Sequence, residues 1–236
     1  MLTVVVVLVV APVIAQERLA HELGEFESFP SSIGVVIAAP HGTFDARTAP
    51  LAIAAARRLG AGYVVARRFT VNGTRINVNR PTEDAFVACV RERRTARAKE
   101  VYDLYTRTVR TAAAGRPLRL YVEIHGNSDW RTAQSIEIAT TGISGSQAQS
   151  VSDGYPAMLA RARTLMPAYP EIALRIEPLD RLVFVAACLK SVGIAATDLV
   201  PRALHIELPR SARAKESQEA TALLITEIVR GLLGDQ

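Results

Sequence analysis

Residues 35–45 read Val35-Val36-Ile37-Ala38-Ala39-Pro40-His41-Gly42-Thr43-Phe44-Asp45, an apolar run that stops at a histidine, a glycine and a carboxylate. Short runs rich in Val and Ile are typical of strands covered on both faces, and ligands in open α/β sheets collect beyond the carboxyl ends of such strands. We therefore expect a buried strand over residues 33–39, with His41 and Asp45 in the crevice at its end.

Two further apolar runs end in the same way. Residues 118–124 run into His125-Gly126, and residues 203–206 run into Glu207. Because the carboxyl ends of parallel strands meet at one edge of a sheet, these strand ends would deliver His, Asp, His and Glu to the same place.

Strand and helix signals alternate along the rest of the chain. Helices are predicted at 48–59, 85–114, 155–166, 180–191 and 214–233, and strands at 33–39, 62–66, 118–124, 134–140, 172–176 and 203–208. The glycine- and serine-rich residues 142–154 are typical of a loop, which is either a plain connection or a lid beside a site. This alternation predicts an α/β fold with a mixed, mostly parallel sheet.

The composition is that of one ordinary globular domain. The chain has 236 residues, 49% of them hydrophobic, and a formal charge of +5. Only three of its 28 basic residues are lysines; the arginine excess suits carboxylate or phosphate ligands, although genomic base composition explains it as well. Glutamate interrupts the basic residues 91–97, so we expect a solvated helix face there and no nucleic-acid partner.

The amino-terminal segment predicts export. Residues 1–15 are almost continuously apolar and have the length of a signal peptide, short of a membrane span, so no stable membrane partner is expected beyond that signal. Residues 16–32 are polar and read as a leader, and residues 33–236 as a single catalytic domain. The segment lacks a positively charged start, which leaves open a wrongly assigned start codon, and hence a cytoplasmic protein, or an uncleaved anchor.

The strand-end residues have the chemistry of a metal site. Two histidines and a carboxylate, His41, Asp45 and His125, are sufficient to hold a zinc ion and leave a fourth position open, as catalytic zinc sites do. Bound zinc lowers the pKa of a water to about 7, and Glu207 is placed to act as the general base. The alternative is that both histidines are ordinary polar caps of strands.

With the Asn79-Arg80 pair added, the chain resembles the zinc carboxypeptidase superfamily, and within it the N-formylglutamate amidohydrolases. The similar segments, in order, are Pro40-His41-Gly42-Thr43, Asn77-Val78-Asn79-Arg80, Glu123-Ile124-His125 and Ile206-Glu207-Leu208-Pro209-Arg210. The resemblance covers roughly residues 33–215. It implies a three-layer α/β sandwich of the zinc exopeptidase type, with helices on both faces of the sheet.

The resemblance also implies roles for single residues. His41 and His125 would be zinc ligands, Glu207 the general base, and Asn79 with Arg80 the clamp on a substrate carboxylate. The implied function is zinc-dependent hydrolysis of an amide bond in a small N-acyl amino acid or a carboxylate-bearing peptide. Arg75 is a candidate for stabilising the oxyanion, or is a plain surface arginine.

The sequence departs from the family pattern in its first two motifs. The family commonly has a glutamate three positions after its first histidine, whereas Phe44 stands there and Asp45 follows; Asn77 replaces an aspartate. These departures favour an alternative, a non-catalytic protein that binds carboxylated ligands or cell-wall peptides. If Asp45 pointed away from the histidines, that alternative would gain.

Four further residues complete the expectations. We expect Glu123 to point to the opposite side of its strand from His125, and His205 to share the face of Glu207. Cys89 and Cys188 lie among apolar residues, where a free buried thiol is common, although a single disulfide is also compatible with the sequence.

Overall fold

The computed structural model describes residues 15–84 and 91–234. The predicted signal peptide, apart from residue 15, lies outside the described residues. In the described part of the chain the strands are β1 Glu17–His21, β2 Gly24–Phe29, β3 Val35–Ala39, β4 Gly62–Arg67, β5 Thr70–Val71, β6 Thr74–Arg75, β7 Leu120–Gly126, β8 Ser135–Thr141, β9 Ala173–Ile176 and β10 Ala203–Leu208. The α-helices are α1 Thr48–Leu59, α2 Ala96–Ala112, α3 Gly145–Leu165, α4 Ala187–Val192 and α5 Gln218–Leu233.

Eight of these strands form one mixed sheet in the order β1-β2-β4-β3-β7-β10-β8-β9. Pairing is parallel for β4–β3, β3–β7, β7–β10 and β8–β9, and antiparallel for the other three neighbours. The strands β3, β7 and β10 lie side by side and point the same way. Their carboxyl ends therefore open at one edge of the sheet.

Helices cover both faces of the sheet. Alternate residues of β3 divide between two cores: Ile37 packs on the side of α1, α3 and α5, and Val36 packs on the side of α2 and α4. A strand buried on both faces must be apolar throughout, which explains the uninterrupted run at residues 35–39. The predicted three-layer α/β sandwich with a mostly parallel sheet is confirmed.

Residues 16–32, expected to be a leader, contain β1 and β2 of the main sheet. The side chain of Phe26 is fully buried and packs on Phe69, with ring centroids 4.5 Å apart. The edge strand β1 is exposed along most of its length. Exposure at an edge accounts for the polar composition that suggested a leader.

Residues 142–154 form mostly helix, where a loop was predicted, because Ser144 and Gln147 make a capping box at the start of α3. The Ser144 Oγ accepts from the Gln147 amide at 3.2 Å, and the Gln147 side chain accepts from the Ser144 amide at 3.0 Å. This Ser-x-x-Gln spacing is a sequence signal of a helix start. No lid is formed by this segment.

Two predicted helices are shorter in the structure. In the segment predicted as 180–191, the amides of Val183 and Phe184 donate to Glu137, each at 2.9 Å, so helix α4 begins only at Ala187. In the segment predicted as 85–114, Thr95 caps α2 and the helix begins at Ala96; residues 85–90 lie outside the described residues.

Cys188 is disulfide-bonded, where a free thiol was expected, and Cys89 falls in the undescribed segment. Across the described helices, none is both long and apolar enough to cross a membrane.

Candidate metal centre

The three predicted strand ends meet at the edge of the sheet. His41 follows β3, His125 lies near the end of β7, and Glu207 lies near the end of β10. Strand register places Glu207 directly beside His125 in the parallel pair. All three side chains are buried, which keeps the polar cluster at the carboxyl ends largely shielded from bulk water.

His41, Asp45 and His125 form one compact donor group. The Asp45 Oδ2 atom lies 3.2 Å from His125 Nδ1 and 3.5 Å from His41 Nδ1. One potential ligand atom from each residue lies within 4.8 Å of the other two. Asp45 reaches this position because its amide donates to the carbonyl of His41 at 2.8 Å, closing a turn that brings residue 45 back over residue 41. The spacing of four residues therefore delivers the carboxylate to the histidines.

The electrostatics of the group are those of a cation site. Burial lowers the pKa of His41 to about 4, so its imidazole is neutral at physiological pH. Burial alone would lower the pKa of His125, but hydrogen bonds with Asp45 and Glu123 outweigh it and raise that pKa to about 10. Burial opposes ionisation of Asp45 as well, yet the two histidines hold its pKa below the usual range. The His125 ring thus lies between two carboxylates, with Asp45 at Nδ1 and Glu123 at Nε2.

This group fits a divalent metal ion. Two imidazoles and one carboxylate are a donor set that catalytic zinc sites use, and metal binding requires the deprotonated ligands. His41 Nε2 is buried and lacks a hydrogen-bond partner among residues 15–84 and 91–234. His125 would have to give up a ring proton to serve as a ligand, because metal binding requires the deprotonated imidazole.

Glu123 lies on the same face of β7 as His125, against our expectation. Residues two positions apart in a strand share a face, so the predicted opposite orientation was wrong. Glu123 Oε2 lies 2.9 Å from His125 Nε2, and the carboxylate also accepts from Tyr121 at 2.8 Å and from Asn79 at 3.0 and 3.1 Å. Such a carboxylate behind a metal-ligating histidine fixes its tautomer and orientation.

Glu207 has one oxygen held and one oxygen free. Its Oε1 lies 3.1 Å from His205 Nε2, while its Oε2 is buried without a hydrogen-bond partner in the described part of the chain. His205 shares the face of Glu207 as predicted, and its ring stacks on His125 with centroids 4.0 Å apart. The other ring nitrogen of His205 lies 3.4 Å from Glu123. His205 therefore fixes the orientation of the Glu207 carboxylate through Oε1, and Oε2 is left without a hydrogen-bond partner among the described residues.

The predicted substrate clamp is already engaged inside the fold. Asn79 donates to Glu123, and Arg80 forks the carboxylate of Glu92 with Nε and Nη2 at 2.7 and 2.6 Å. Arg75 differs: its guanidinium lies 4.5 Å from the ring centroid of Phe44 and has no hydrogen-bond or ion-pair partner among the described residues. Burial lowers the pKa of Arg75, and the negative charges of Asp45 and Glu92 oppose this effect.

Sequence reasoning missed two residues that shape the site. Glu92, in the basic stretch 91–97, forms an ion pair with Arg80. No feature of the sequence indicated this pairing. Arg213 is buried, and its guanidinium donates to the carbonyls of Leu208, Ala46 and Asn127. The glycine after His125 was the available signal, because a Cβ at Gly126 would lie 2.5 Å from the Arg213 guanidinium carbon.

No protein-family model and no curated protein sequence matches this chain. Solved structures do resemble it. A bacteriophage poly-gamma-glutamate hydrolase aligns with a TM-score of 0.50 and 10% identity over 89% of this chain and 90% of that chain. The chain therefore shares the fold of that hydrolase.

Proteins of the kinds that the sequence resembles are among the similar structures. An N-formylglutamate amidohydrolase from Ralstonia eutropha has a TM-score of 0.47 and 13% identity over 86% of this chain and 96% of that chain. A metallo-carboxypeptidase from Burkholderia cenocepacia has a TM-score of 0.44 and 12% identity over 91% and 64%. At these identities the likeness concerns the fold alone.

Proposed function

We propose that this chain is a zinc-dependent hydrolase of amide bonds that acts on a small N-acyl amino acid or on a peptide bearing a free carboxylate. The observation that carries the proposal is the convergence of His41, Asp45 and His125, with one donor atom of each within 4.8 Å of the others, beside the buried and partner-free Oε2 of Glu207. Export of the protein remains a prediction from residues 1–15.

Each residue has a chemical task in this proposal. His41, Asp45 and His125 would hold the ion, which when bound supplies a Lewis acid and lowers the pKa of a water to about 7. Glu207 Oε2 takes a proton from the attacking water and returns it to the leaving amine. His205 contacts Oε1 of Glu207 and thereby orients Oε2. Arg75 offers an unpaired positive charge for the oxyanion that develops on the carbonyl.

Recognition of the substrate carboxylate is assigned to Asn79 and Arg80 by the family resemblance. In the structure Arg80 is bound by Glu92. A substrate carboxylate would therefore have to displace Glu92 from the guanidinium fork, or use the remaining Arg80 donors. Arg80→Ala tests this role. The substitution should raise KM for carboxylate-bearing substrates more than it raises KM for uncharged analogues.

The orientation of Asp45 favours catalysis over the binding-protein alternative. That alternative expected Asp45 to point away from the histidines, whereas its Oδ2 lies within 3.5 Å of a ring nitrogen of each. A carboxylate between two imidazoles supports a metal site more than it supports an empty ligand pocket.

Metal analysis tests the proposal directly. Purified protein, supplemented with zinc and dialysed, should hold about one equivalent of zinc, the stoichiometry of a single three-ligand site. His125→Ala should hold almost none. His21→Ala, which removes the histidine at the end of β1, is the matched control and should keep the parent zinc content. Loss of less than half the zinc on His125→Ala, or failure of the parent to bind zinc, would count against the site.

A further inference from the structure

A cleft of about 500 Å³ opens beside the candidate metal centre, on the far side of Asp45. Its walls include Phe44, Asp45 and Asn127 together with three arginines, Arg47, Arg210 and Arg213. Asp45 is thus shared between the donor group and the cleft. A molecule bound in the cleft would extend directly from the reacting centre.

Arg213 forms the fixed floor of this cleft. Its guanidinium donates to the carbonyls of Leu208, Ala46 and Asn127 at 3.2, 2.6 and 2.8 Å. Arginine carries five N–H groups, so these three bonds leave two for a ligand. The three carbonyls come from the end of β10, the loop before α1 and the loop after β7, which holds the guanidinium rigidly.

Arg47 and Arg210 stand on the exposed sides of the cleft without partners. Neither side chain makes a hydrogen bond or an ion pair with any residue in the described part of the chain, whereas Arg80 and Arg213 do. Arg47 also has a backbone φ of 67°, an unfavourable conformation for a side chain that is not glycine. Unpaired guanidinium groups around one cleft create a positive potential that an anion would neutralise.

The charges influence one another across the cleft. Burial is the largest cause of the lowered pKa of Arg213, and the positive charges of Arg210 and Arg47 add to it. Asp45 and Glu207 oppose this effect, but both belong to the reacting centre. The three arginines that line the cleft therefore outnumber its one carboxylate, Asp45, and leave an excess of positive charge.

We propose that this cleft is a carboxylate-binding subsite that holds a second carboxylate of the substrate, with Arg47 and Arg210 as the clamp and Arg213 as the floor. This inference rests on the proposed function and narrows its substrate class to amides that carry at least two carboxylates. The planar guanidinium matches a carboxylate bidentately, which suits recognition of acidic side chains or of a chain terminus.

Isothermal titration with acids that the enzyme cannot hydrolyse tests the subsite without turnover. The probes are acetate, glutarate and tricarballylate, which carry increasing numbers of carboxylates, and inorganic phosphate. The parent should bind tricarballylate more tightly than glutarate and bind acetate most weakly. Arg47→Gln/Arg210→Gln should weaken tricarballylate binding on the order of tenfold, a modest factor because both guanidinium groups are exposed and screened.

The matched control is Arg107→Gln/Arg116→Gln. Arg107 lies late in α2 and Arg116 follows that helix. Both are exposed and neither lines the cleft, and this double variant removes the same charge. It should bind the acids as the parent does. An equal loss in both double variants, no loss in either, or phosphate binding as tight as tricarballylate binding would overturn the proposal of a carboxylate subsite.

The two proposals fail separately in this design. A protein that binds the acids through Arg47 and Arg210 but hydrolyses no amide would refute the proposed activity and keep the subsite. A protein that hydrolyses amides with equal kcat/KM for substrates of one and of two carboxylates would keep the activity and refute the subsite.

Discussion

At the scale of single residues, a conservative substitution of Glu207 should lower the rate of catalysis without changing the zinc content. One of its oxygens is held by His205 and the other is buried without a partner in the described residues. Glu207→Gln keeps the size of the side chain and its capacity to bond His205, but removes the basic oxygen. We expect kcat to fall by about a hundredfold or more while zinc content stays at the parent level.

The control for this substitution is Glu216→Gln, which makes the same change at an exposed position. It should leave kcat unchanged. Steady-state kinetics and metal analysis on the three proteins give the comparison. A Glu207→Gln protein that turns over an amide substrate at the parent rate would remove β10 from the active site altogether.

At the scale of elements, Glu83 ties the connection after β6 to the start of α2. Its carboxylate, which has no solvent exposure, accepts from Thr95 Oγ1 at 2.5 Å and from Arg97 Nη2 at 2.7 Å. The backbones of Glu83 and Arg93 exchange two hydrogen bonds. This junction orients the segment that carries Asn79 and Arg80.

The junction should give a pH-dependent contribution to stability. The hydrogen bond from Arg97 is the main cause that lowers the pKa of Glu83 from 4.5 to about 2. Because the folded pKa lies below the unfolded one, the stabilisation is complete above about pH 4.5 and is lost as the pH falls through about 2. At pH 7 we expect Glu83→Gln to lower the free energy of unfolding by about 1–3 kcal/mol, and the difference from the parent to narrow below pH 4.5.

Urea unfolding at a series of pH values measures this difference. Glu22→Gln, in the exposed turn between β1 and β2, is the control and should follow the parent at every pH. A difference between parent and Glu83→Gln that stays constant from pH 7 to pH 3 would show that the charge on Glu83 does not stabilise the junction.

At the scale of the whole molecule, an ion at the candidate centre would join parts of the chain that are distant in sequence. Its ligands come from the loop after β3 and from β7, and residues 45 and 125 are 80 positions apart. Binding to the folded state alone stabilises it, by about 2.7 kcal/mol when free zinc is a hundredfold above Kd, which for a chain of this length corresponds to roughly 5–10 °C in Tm.

Thermal unfolding with and without zinc checks this expectation. The parent and His21→Ala should show the increase in Tm, a chelator should reverse it, and His125→Ala should show none. If His125→Ala gained the same increase, zinc would be stabilising the fold from another place and the assignment of His125 as a ligand would be untenable.

Local sequence patterns predicted several helices and strands correctly. Helix α1 occupies the predicted residues 48–59, and β4 begins at the predicted residue 62. Such local signals succeed because periodicity and turn residues act over a few positions. The start of α3 at Ser144 was a local signal as well, but serines and glycines suggested a loop more strongly than the capping box suggested a helix.

What the sequence by itself determined is that buried strands end at His41, His125 and Glu207, because uninterrupted apolar runs must be covered on both faces and polar residues then mark their ends. Only the tertiary structure decided the partners: Asp45 between two histidines, Glu92 on Arg80, and Arg213 beneath an arginine-lined cleft. The physical reason is that these hydrogen bonds and ion pairs join residues from 4 to 167 positions apart, and sheet order and turn geometry select which of many compatible side chains meet.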